Sequence, residues 1–102
     1  MTLYSFYIIF KRQNSDKYDY ICELGENKTD AIQKYMSDID SFNRMYNDNL
    51  MYDIQDVYMI REDIYSGNPH FKSAENYTGK DTTILNTFAD LDKVLENLNN
   101  AA

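Results

Sequence analysis

His70 is the only histidine of the chain and Cys22 the only cysteine, so imidazole chemistry would rest on the one and thiolate chemistry on the other. A triad needs a nucleophile and an orienting group placed around an imidazole. His70 instead follows Pro69 in an irregular stretch with no such neighbours. Cys22 falls on the apolar side of a strand pattern and reads as a small buried hydrophobe. A lone thiol makes neither an internal disulfide nor a thiolate metal cluster.

Carboxylates occur close together at Asp38/Asp40, Glu62/Asp63 and Asp90/Asp92. On a helix, residues two apart point in different directions, so the first and last pairs make poor metal clamps. Asp48-Asn49 with Asp53 lacks the spacing and the glycine of a calcium loop. Three glycines in the whole chain leave no phosphate-cradling loop. The expectation is a protein without catalytic residues, metal ligands or cofactors, and hence not an enzyme.

What remains is surface. The 102 residues carry 10 Lys+Arg against 17 Asp+Glu, a net charge of -7. Such a field repels phosphate backbones and attracts basic protein surfaces. Between Asp38 and Asp63 lie seven acids and only two bases, Arg44 and Arg61. Tyrosines and asparagines are interleaved with them. Rings supply anchoring area at low entropic cost while carboxylates meet Lys and Arg. The candidate partner-binding residues are therefore Asp38, Asp40, Tyr46, Asp48, Tyr52, Asp53, Asp56, Tyr58, Glu62 and Asp63.

The elements that would position them follow from periodicity. Met1–Lys11 alternates with Tyr4, Phe6, Ile8 and Phe10 on one side, which is a strand for the middle of a sheet. After a polar turn, Lys17–Leu24 repeats the alternation and predicts a hairpin partner. Asn27 caps a helix whose stripe runs Ala31, Ile32, Tyr35, Met36, Ile39, Phe42, Met45, Tyr46. That stripe reads as core. Leu50–Tyr65 predicts a long strand that becomes buried near Val57–Ile60. A regular strand puts Asp53 and Asp56 on opposite faces unless a bulge intervenes.

Ser66–Lys80 is the least regular stretch, with Phe71 and Tyr77 placed to pin it, and Thr82–Leu85 predicts a short edge strand. Thr87 with Asp90 opens a last helix with Phe88, Leu91, Val94, Leu95 and Leu98 in line. Asn99 onward is expected to fray. The sum is one α+β domain over 1–102, a two-layer sandwich in the order β-β-α-β-(β)-α. Its antiparallel sheet of three to four strands would carry both helices on one face.

By its size, acidity and Asp38–Asp63 window, the chain resembles the small anti-CRISPR and DNA-mimic anti-restriction proteins of phages and mobile elements. The resemblance implies a stoichiometric inhibitor occupying the basic nucleic-acid channel of a host nuclease complex, in several cases as a dimer. It supplies no site residue. The alternative is a homodimeric structural or regulatory module paired through Tyr52–Ile60 as a sheet edge. A third reading is a small-molecule pocket between the sheet and Ser66–Lys80. No signal segment precedes the first strand, and no apolar run spans a bilayer. The expected location is the cytoplasm (of the host, for a phage protein), without membrane or direct nucleic-acid binding.

Overall fold

Phe6–Phe10 is apolar at every position, the mark of a strand covered on both faces. A computed structural model describes residues 2–12, 15–47, 52–62 and 70–101, with 12 and 52 as backbone only. In it this run lies within β1 (Tyr4–Arg12). The other elements are β2 (Tyr18–Gly25), α1 (Lys28–Tyr46), β3 (Tyr52–Ile60), a 3-10 turn at Ala74–Asn76, β4 (Thr83–Leu85) and α2 (Phe88–Asn100). The order in the sheet is β2-β1-β3-β4. The α+β class and the element order are as the sequence predicts.

Three details of the architecture differ from expectation. The sheet is mixed, because β4 runs parallel to β3 (Tyr58↔Thr83 to Ile60↔Leu85) while β1 is antiparallel to both neighbours. The β3–β4 connection is therefore a crossover, not a hairpin. The long strand is also shorter than predicted and gives way to a turn at Arg61-Glu62.

Most consequentially, the helices lie on opposite faces, which makes three layers instead of two. One cluster joins Phe6, Ile8 and Phe10 to Ala31 and Tyr35 of α1, with Val57, Met59 and Ala74. The other joins Tyr7 and Ile9 to Leu91 of α2, with Ile60.

The hairpin register explains this. Tyr7 pairs with Cys22, Ile9 with Tyr20 and Lys11 with Tyr18. Even-numbered β2 residues thus share a face with odd-numbered β1 residues. The apolar side of β2 and the better side of β1 point opposite ways, and each needs its own cover. Each fully buried side chain in these layers stabilises by roughly 1.5–3 kcal/mol.

The described part of the crossover, from His70 onward, packs Ala74 and Tyr77 on the α1 side. Its Tyr77 ring packs edge-on against Tyr4 and Phe6, with centroids 5.1 and 5.6 Å apart. Its hydroxyl donates to Asp81 at 2.9 Å, and Lys28 Nζ donates to the Asp81 carbonyl at 3.1 Å. Phe71 forms a parallel bridge with Leu3, as its pinning role requires.

Both helix starts are capped as read. Asn27 accepts from the Asp30 N–H at 2.9 Å, and the Asp30 carboxylate reaches one residue past the cap to Glu26 N–H. Thr87 and Asp90 form the full reciprocal box. Asn99 does not fray. Its amide accepts from Tyr18 N–H at 2.7 Å and donates to Tyr18 C=O at 3.3 Å, doing for one residue what a neighbouring strand would do.

Candidate functional site

The acidic window divides across the sheet. Asp38, Asp40 and Tyr46 ride on α1, over one face. Asp53, Asp56 and Tyr58 belong to β3, and the register turns them to the other. Asp48 and Asp63 lie outside the described residues, as does the side chain of Tyr52. Glu62 is exposed in the turn that ends β3.

On β3 the pairing shifts between Ile9↔Asp56 and Phe10↔Ile54, so a bulge inserts one residue. Ile9 and Lys11 are two apart on β1 and share a face. Their partners Asp56 and Asp53 therefore share it too, about 7 Å apart along the strand. A regular strand would have separated them. Tyr58 pairs with Tyr7 on this same face. Its hydroxyl pKa is raised, first by burial and then by the adjacent Asp56 charge and their hydrogen bond. Asp56 also accepts from Val57 N–H at 2.8 Å. Lys11 stands opposite Asp53, yet its ammonium lies over the Tyr18 ring, 5.7 Å from the centroid.

On α1, Asp38 and Asp40 point about 200° apart around the helix. Asp38 lies by Glu23, a β2 residue that the register with Phe6 turns toward α1. Burial pushes the Glu23 carboxyl up to about 7, helped by a hydrogen bond to Asp38 and by its charge; Lys34 opposes this. The Lys34 ammonium itself donates to the Leu24 carbonyl at 2.7 Å. Sequence reading missed Glu23, since only the register reveals which way it faces.

Sequence reading also assigned Phe42 and Met45 to the core, and Tyr46 both to that stripe and to the partner-binding set. They are among the large hydrophobics that stand exposed. The sequence carries no signal for this, because a helical stripe reads alike whether the sheet covers it or not.

Among the described residues the salt bridge is Arg61–Glu75 at 3.9 Å, and Asp38, Asp40, Asp53, Asp56 and Glu62 form none with another described residue. The same residues hold no group of three or more His, Cys, Asp or Glu able to grip a metal ion. None of their helices is long and apolar enough to cross a membrane. The edge expected to self-pair is covered by β4 from Tyr58 to Ile60. No protein-family model, curated protein or solved structure matches this chain.

Proposed function

We propose that this is a non-enzymatic acidic binding protein that seats on a basic, nucleic-acid-binding surface of a host defence nuclease complex. The observation that carries the reading is the bulged stretch of β3. It turns two exposed carboxylates, Asp53 and Asp56, which form no salt bridge with another described residue, to one side beside a half-buried tyrosine. Two neighbouring fixed charges of this kind compete with phosphates for the same Lys and Arg side chains. The size and net charge of -7 fit a stoichiometric competitor.

The test is inhibition of duplex cleavage by purified guide-dependent and restriction nucleases, at low and at high salt. Inhibition should reach completion near equimolar ratio and weaken steeply with salt, and Asp53→Asn with Asp56→Asn should reduce it by about tenfold or more. Inhibition indifferent to salt and to both substitutions would overturn charge competition.

A further inference from the structure

The final turns of α1 hold more apolar surface than the fold uses. Ala31 and Tyr35 are buried at 0% and 2% exposure, but Phe42, Met45 and Tyr46 stand 43%, 75% and 62% exposed. Their spacing of i, i+3 and i+4 makes one stripe, and the Phe42 and Tyr46 rings touch with centroids 4.6 Å apart. Asp38, one turn before Phe42, heads the same stripe. Lys34, a turn earlier still, is held by the Leu24 carbonyl and forms no salt bridge with Asp38. Arg44, the base of the last turn, lies round the helix on the opposite side.

We infer that this stripe docks a basic amphipathic helix of a partner protein. A flexible thioether on the same stripe as two tilted rings in contact adapts to apolar side chains of varied shape. Helix-in-groove recognition reads anchors at this spacing. The carboxylate at the head of the stripe selects lysine or arginine on the incoming helix. A second copy of the chain is disfavoured, since it would bring together two bodies each of charge -7. The inference goes beyond the charge-competition reading. The stripe lies across the sheet from Asp53 and Asp56, so either can fail alone.

The test uses two helical peptides of leucine and lysine, each of about 18 residues, about five turns. In one the leucines form a stripe. In the other the same composition is scrambled. Affinity for the intact protein is measured by calorimetry, and the contact is mapped by amide chemical shifts. The striped peptide should bind about tenfold or more tighter, shifting the amides of 38–46. Phe42→Ala/Met45→Ala/Tyr46→Ala should abolish that preference, and Asp53→Asn/Asp56→Asn should leave it intact. Should the triple variant lose its fold, Met45→Lys alone is the substitute, at the most exposed position. Equal affinity for the two peptides, a preference surviving these substitutions, or sedimentation as a dimer dispersed by Met45→Lys would overturn the inference.

Discussion

The two faces of the sheet are built from similar local instructions and end in different states. On one, α2 places Phe88, Leu91, Val94, Leu95 and Leu98 into or against the core, and none of them is left exposed. On the other, α1 opens under a side-chain cap too but finishes with an aromatic pair and a methionine in water. Capping and periodicity fix where a helix begins and which stripe it carries. How much of that stripe is covered depends on what the sheet offers beneath it. The closed face reads as structural, and the half-open one holds surface to spare for a partner.

The sharpest way to break this comparison is to cut into each layer beneath its helix. Ile8 faces α1, Ile9 faces α2, and both are fully buried. Ile8→Ala and Ile9→Ala should each cost about 2–5 kcal/mol in urea unfolding, with similar midpoints. If one of them cost under about 1 kcal/mol, that face would not be covered as described.

A smaller difference is expected at the caps. Thr87→Ala removes half of a partly buried reciprocal box and should cost about 1–2 kcal/mol. Asn27→Ala removes an exposed cap and should cost about 0.5–1 kcal/mol. Equal losses would mean that the two helix starts are equally well anchored.

The gentlest probe is pH, at the seam between β2 and α1. Glu23 holds its proton more tightly folded than unfolded, so its contribution is full below about 4.5 and lost as pH rises to about 7. Glu23→Gln should flatten that slope. The variant should match the parent near pH 4 and exceed it near pH 8. A parent whose stability holds level across this interval would place Glu23 in open water.

Much of the fold was legible. Element order, both caps, the burial of β3 toward Val57–Ile60 and the pinning roles of Phe71 and Tyr77 follow from alternation, helical stripes and cap residues. The relative facing of strands was not. A two-residue period is blind to parity, and shifting the β1–β2 register by one would bring both apolar sides together. The same blindness hid the bulge that unites Asp53 with Asp56. The candidate site was counted along the chain, as seven acids in one window, whereas the register divides α1 from β3. Phe42 and Met45 were hidden for a different reason. Nothing in a periodic stripe tells where its cover stops.

One consequence of the Asn99–Tyr18 amide pairing concerns synthesis. The residue that closes the Tyr18 position of this outer border of β2 lies 81 positions downstream of it. At a translation rate of about 5–20 residues per second, a nascent chain carries that position unpaired for roughly 4–16 s before Asn99 is added. For that interval, neighbouring chains on a polysome are one another's readiest strand partners.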